Sequence, residues 1–208
     1  MRNSTRLIGL AAFVAASVSC GDVVRQGSSP VFLVIDLLQG IRGAPTPGTA
    51  SSTLISDVIT DVTSGGTCTP VAPCPTVFGD NGTANLRAPL KDIGATAALS
   101  PTTNNEVTIN RVHVEYVRAD GRNTQGVDVP FAFDSAVTGT IQAGATLSIG
   151  FELVRNVAKQ EAPLVQLITS PSIMSVIAKV TFYGVDRVGN AIQTTGQIQI
   201  EFGNFGNF

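Results

Sequence analysis

Ser175-Val-Ile-Ala-Lys-Val-Thr-Phe-Tyr-Gly-Val-Asp-Arg-Val-Gly-Asn-Ala-Ile-Gln-Thr-Thr-Gly-Gln-Ile-Gln-Ile-Glu-Phe202 alternates apolar and polar residues along most of its length. Ile192, Thr194, Ile198, Ile200 and Phe202 share one parity, and Gln193, Thr195, Gln197, Gln199 and Glu201 the other. Side chains of a strand point alternately to opposite faces, so this pattern predicts a strand with one buried and one wet face. The first half repeats the pattern, with Val176, Ala178, Val180 and Phe182 set against Lys179, Thr181 and Tyr183. Between the halves lies Asp186-Arg-Val-Gly-Asn190. Asp186 can bond its own backbone there and Gly189 can take a positive φ, which makes the cluster a turn. The stretch predicts a long antiparallel hairpin with Phe182 and Phe202 in the core.

Within it, Val180-Thr-Phe-Tyr-Gly-Val-Asp-Arg-Val-Gly-Asn190 resembles the closing strand pair of bacterial immunoglobulin-like and fibronectin-type-III-like domains. In that family an alternating apolar strand runs into Asp-x-x-Gly-Asn. The resemblance implies an all-β chain built as a single immunoglobulin-like antiparallel β-sandwich. It implies no activity, because this architecture hosts many functions. The Trp that the family places on an inner strand is absent, since the chain has none.

Working outward, the rest of the chain reads as about eight or nine strands with closely spaced turns, which fits one sandwich. Val31–Leu38 is an apolar run interrupted by Asp36, an acid expected where a strand reaches its edge. Thr53–Val62 fits a helical face or a strand, and the β-branched content favours strand. Thr76–Phe78 and Thr83–Leu90 read as strands joined by Gly79-Asp-Asn-Gly82. Glu106–Arg118 changes its inward phase near Asn110-Arg111, which predicts a β-bulge. Val127, Val129, Phe131 and Phe133 alternate as a partner strand, and Thr146–Val154 alternates again. Pro163 opens a short helix through Ile168, since Pro fits a first helical turn. A membrane barrel is the rival architecture, disfavoured by short strands and the lack of an aromatic girdle.

The N-terminus gives an address. Arg2 and Arg6 precede an apolar run, Leu7–Val18, shorter than the roughly 20 residues of a membrane span. Residues 1–19 read as a signal peptide, 20–29 as a tether and 30–208 as the β-sandwich domain. Ser17-Val-Ser-Cys20 resembles the lipobox of bacterial lipoproteins, in which the Cys becomes the acylated N-terminus. That resemblance implies lipidation at Cys20 and attachment to a membrane of the bacterial envelope. An ordinary secretory signal cut before Cys20 is the alternative.

The chain has three cysteines, Cys20, Cys68 and Cys74. Exported chains favour paired cysteines. Cys68-Thr-Pro-Val-Ala-Pro-Cys74 is a short loop whose ends can meet, so a structural disulfide is expected and Cys20 is left over. A metal site would need further Cys or His nearby, and none is present in the sequence there.

Charged residues are only 13% of 208, against about 25% in an average soluble protein, and mean hydropathy is +0.27. Without residues 1–19, which carry Arg2 and Arg6 and no acid, the net charge goes from −2 to −4. A chain so poor in basic residues does not suit the sequence-independent grip on nucleic acid.

The sequence holds no catalytic motif, and no catalytic residue, cofactor-binding residue or metal ligand is expected. His113, the one histidine, falls on an outward parity with no partner motif. The expected role is a binding or structural module of the envelope; the edge of its long terminal strand is either capped by the N-terminal segment, the favoured reading, or open to a protein partner or self-assembly. The alternative is an enzyme acting on envelope glycans through a carboxylate pair drawn from Asp120, Asp128, Asp134 and Asp186. Asp186 with Asn190 also offers oxygens to calcium, although that ion wants 6–8 ligands.

Overall fold

The computed structural model describes residues 29–91 and 102–206. The signal peptide, most of the tether and Cys20 lie outside the described residues. The chain is mostly β. Ten strands occur among the described residues: β1 (Val34–Ile41), β2 (Thr53–Asp57), β3 (Thr60–Val62), β4 (Cys74–Thr76), β5 (Asp80–Arg87), β6 (Val107–Val117), β7 (Phe133–Ile141), β8 (Thr146–Val154), β9 (Met174–Asp186) and β10 (Ala191–Gly203). A short helix, α1 (Asn156–Gln160), follows β8, and a 3-10 helix spans Leu164–Ile168.

The strands form a three-stranded sheet β1-β5-β8, a five-stranded sheet β2-β10-β9-β6-β7 and a small pair β3-β4. The five-stranded sheet is mixed and curls like half a barrel, because β2 joins the edge of β10 in parallel. This corrects the expectation of eight or nine wholly antiparallel strands. Thr53–Val62 is extended as read, but it breaks at Val58-Ile59 into β2 and β3, and β3 turns away to pair with β4.

The predicted hairpin is β9–β10, paired from Ala191↔Val185 to Phe202↔Met174. Its inward row is buried apart from half-buried Thr194 and Gly196, with Phe182 and Phe202 fully so. In the turn, the Asp186 carboxylate accepts the Val188 and Asn190 backbone N–H groups at 3.0 and 2.8 Å. Burial pushes this carboxyl upward, but those donors, with the Asn190 and Ser29 side chains, outweigh it and hold it below its ordinary range.

The bulge appears where the phase change predicted it. β6 slips register between Ile109 and Arg111 against both β7 and β9. The core lies between the inner faces of the two larger sheets. Two contacts span it: the Phe151 and Phe182 rings meet edge to face, and the Tyr116 hydroxyl donates to the Leu153 carbonyl at 2.7 Å.

One expected strand is absent as drawn. Val127 and Phe131 are exposed, and the 124–129 segment is a turn in which Thr124 O accepts three successive backbone N–H groups. Only Val129 and Phe133 reach the core, so β7 begins at Phe133. Pro130 cannot donate to a ladder, which accords with this late start.

Candidate functional site

The most chemically loaded place in the domain is one end of the two sheets. There the ends of β1, β2 and β8 meet the start of β5 and helix α1. Asp80 is the first residue of β5 and is fully buried. The chain reaches it through Gly79, packed against the Val154 carbonyl and the Asn156 N–H. The Asn156 side chain pins the same corner by donating to Val77 O at 2.9 Å. Helix α1 follows and turns Ala158 and Lys159 inward.

Lys159 is the other fully buried charge of this corner. Its Nζ lies 2.8 Å from Asp80 Oδ2 and donates to the Asp57 backbone carbonyl at 2.9 Å. The Ser56 hydroxyl donates to the same Asp80 oxygen at 2.6 Å. Asp80 Oδ1 accepts the Gly43 N–H at 2.8 Å. Gly43 is required there, since a Cβ would overlap the Gly79 carbonyl oxygen. Removing two charges from water costs several kcal/mol for each ion, and only close contact with satisfied hydrogen bonds offsets that. Here both partners have such contacts.

Charge extends around this centre. The Tyr116 phenol is raised above its ordinary range by burial first and then by the charge of Asp80. Asp57 is buried, and its carboxyl is raised above 3.8 by burial, against opposing backbone N–H groups of Phe205 and Ile59 and the charges of Lys159 and Arg42. Arg155, just before α1, lays its guanidinium over the Phe133 ring at 4.6 Å, and its Nε is the one buried side-chain polar atom without a hydrogen-bond partner among the described residues. An open cleft of about 450 Å³ borders the cluster, lined in part by Arg42, Asp57, Thr60, Asp61 and Ser64.

Sequence reasoning missed this cluster. The sequence pattern puts Asp80 in the turn Gly79-Asp-Asn-Gly82 and Asp57 in the ambiguous segment Thr53–Val62, and it carries no signal for α1. Lys159 sits in Asn156-Val-Ala-Lys-Gln160, where no period distinguishes an inward Lys from an outward one.

The residues that sequence did single out lie elsewhere. Cys68 and Cys74 form a disulfide, with Cα atoms 5.3 Å apart, a cross-link that oxidising compartments sustain. Asp36 sits at a bulge of β1, an edge strand, and its carboxylate takes the Arg87 guanidinium at 2.7 Å. His113 faces outward and lies 3.3 Å from Asp134, which also binds Arg111 at 2.7 Å. Asp120 is gripped by Arg118 and Arg122 and held well below the usual carboxylate range. Asp128 accepts the Thr124 N–H at 3.2 Å.

Asp120 and Asp128 share the loop after β6, and Asp186 lies far from both. Asp186 pairs with Val107 at one end of β6, while Asp120 and Asp128 lie past Val117 at the other. Eleven residues at about 3.3 Å each put the two ends on the order of 30 Å apart. The carboxylates of a glycosidase stand about 5–10 Å apart, so Asp186 does not pair with Asp120 or Asp128.

The terminal strand's edge is partly occupied. β2 pairs with β10 over Gln199–Gly203. Beyond that, a groove separates Leu33–Leu38 from Thr194–Gln197. Among the described residues no helix is long and apolar enough to cross a membrane, and no three His, Cys, Asp or Glu side chains are grouped to hold a metal. No protein-family model, no curated protein and no solved structure matches this chain.

Proposed function

We propose that this chain is a lipid-anchored, immunoglobulin-like module of the bacterial cell envelope, with a binding or structural role and no catalytic chemistry of its own. The observation that carries the reading is the pairing of Cys68 with Cys74. Of three cysteines, it leaves Cys20, directly after a short apolar run with a basic start, for acylation. Two or three acyl chains would hold the domain firmly, where one gives only marginal binding.

The strand order supports the immunoglobulin-like part. On this reading β1-β5-β8 is taken as strands A, B and E, and β10-β9-β6-β7 as G, F, C and C′. β2 then extends the second sheet beside G. Tyr116, buried on β6, contributes an aromatic side chain to the core on the strand read as C.

The envelope role rests on an outer face of threonines, glutamines and paired charges, where Arg111 meets Asp134 at 2.7 Å and Lys179 lies 3.9 Å from Glu115. Thr181 and Thr195 hydrogen-bond across β9 and β10 at 2.8 Å, and Thr108 and Thr140 across β6 and β7 at 3.2 Å. Such a face suits contact with a protein partner or a second copy without strong electrostatic steering.

Mass spectrometry of the mature N-terminus tests the anchor, with a diacylated or triacylated Cys20 expected. An unmodified Cys20 would overturn it. Crosslinking in intact cells tests the partner: a defined adduct is expected, and a protein that stays monomeric while known envelope complexes are captured would end the assembly reading.

A further inference from the structure

Lys159 and Asp80 are poised for a chemical step as well as an ion pair. Nζ and the Asp80 carboxyl are in contact at 2.8 Å, both side chains are fully buried, and they come from segments 79 positions apart in the chain. We propose that Lys159 and Asp80 condense into an intramolecular amide, a covalent cross-link between α1 and the start of β5. The proposal is independent of the lipid anchor.

The surroundings are those that such a condensation needs. Asp80 Oδ1 faces the Gly43 N–H, a fixed backbone donor able to stabilise the negative oxygen of a tetrahedral intermediate. Oδ2 faces both Nζ and the Ser56 hydroxyl, so the leaving oxygen has two proton sources. The Asp57 carbonyl takes a second hydrogen of Nζ, which fixes the amine against Asp80. Holding two reactants in contact converts a bimolecular step into a unimolecular one, and exclusion of water disfavours the reverse hydrolysis.

The step balances without a co-reactant. An ammonium proton passes to Oδ2, leaving a neutral amine beside a neutral acid. The Nζ lone pair attacks Cγ, a C–N bond forms, and Oδ1 carries the negative charge toward Gly43. A second proton leaves nitrogen and reaches Oδ2 through the Ser56 hydroxyl. The Cγ–Oδ2 bond then breaks and water departs. Nitrogen keeps one hydrogen, directed at the Asp57 carbonyl, and nothing is oxidised or reduced.

The product closes a loop from Asp80 to Lys159 that contains β5, β6, β7 and β8. A tensile load applied across β5 and α1 would then be borne by the amide bond, which suits a domain held at a surface.

The test is peptide mapping of the purified, folded full chain, reduced, denatured and digested with trypsin. The expected result is a branched peptide joining the Asp80 and Lys159 segments, lighter than their sum by about 18 Da, one water, with no cleavage after Lys159. Asp80→Asn should give the same branch with loss of ammonia instead, about 17 Da. Lys159→Met should give separate, full-mass peptides. Complete cleavage after Lys159 in the parent chain, with both peptides at full mass, would overturn the proposal and leave a plain ion pair. Because that reading is made on the parent protein, it holds even where a variant fails to fold.

Discussion

The rings of Phe151 on β8 and Phe182 on β9 meet edge to face, 5.3 Å between centroids and 88° between planes. The pair ties the three-stranded sheet to the five-stranded one at the centre of the core. Edge-to-face aromatic contacts contribute about 0.5–1.5 kcal/mol beyond the area they bury. Phe182→Ala should therefore cost about 3–5 kcal/mol of stability, a large part of the 5–15 kcal/mol typical of a domain, as an order of magnitude. Gln197→Ala, on the exposed parity of β10, should stay within about 0.5 kcal/mol of the parent. Denaturant midpoints of the two variants decide the matter, and equal losses would mean that the sheet faces the other way.

The same ring constrains a glycine. Gly82 on β5 lies opposite Phe151 on β8, and a Cβ at Gly82 would overlap the Phe151 ring. Gly82→Ala should destabilise by about 1–3 kcal/mol, the usual cost of overpacking a core. Adding Phe151→Leu should make the Gly82→Ala change less harmful than it is in the parent, a coupling that a double-mutant cycle in urea measures.

Lys159 and Asp80 should behave as one unit. Lys159→Ala leaves a buried carboxylate with hydrogen bonds but no counter-charge, and should cost about 3–5 kcal/mol. Asp80→Ala, which strands the ammonium, should cost a similar amount. The double variant should lose clearly less than the two single losses added together, as read from chemical denaturation of all four proteins. Simple additivity would mean that the two groups do not interact.

Asp57 gives a pH dependence of unusual sign. Its carboxyl is raised above 3.8 by burial, so the fold holds the carboxylate less well than the unfolded chain does. Its contribution to stability is full below the unfolded value and is lost as pH rises through the folded one. Asp57→Asn keeps an oxygen for the Phe205 N–H, now 3.4 Å away, without the charge. The variant should melt higher than the parent at neutral pH and together with it well below pH 3.8. Melting curves across that range check it, and a variant less stable at neutral pH would contradict it.

Loss of the Cys68–Cys74 cross-link should be mild. It closes a short loop, six positions long, for which chain entropy gives roughly 2 kcal/mol. At about 2–4 °C per kcal/mol for a chain of this size, reduction should lower the melting temperature by roughly 4–8 °C. A scan with and without reductant reads this directly.

What the sequence made legible was the part governed by period two. The β9–β10 hairpin, its Asp186 turn, the burial of Phe182 and Phe202 and the bulge beside Asn110 all follow from alternation and its breaks. The 3-10 helix after Pro163 follows from the proline. The polar cluster was hidden for a physical reason. Lys159 is buried because α1 folds over the end of the sheets, and Asp80 because β5 starts three residues before Thr83 and puts Asp80 on the inward parity of Gly82, Ala84 and Leu86. Both depend on chain segments far apart in sequence, which local pattern does not encode. Val127 and Phe131 failed in the opposite way: they alternate like a strand, yet a turn around Thr124 holds them in water.

The parallel seam between β2 and β10 joins Thr53 to Gln199. Few contacts in the domain bridge so much chain, and contacts of this kind form late because the intervening loop must close first. A chain emerging N-terminus first cannot complete this sheet until its last strand has been synthesised. During that interval β2 lacks its hydrogen-bonded neighbour, and Ser56 and Asp57, which reach into the polar cluster, lack the strand that holds them in place. Such delay leaves the polypeptide open along this seam until its far end has been made.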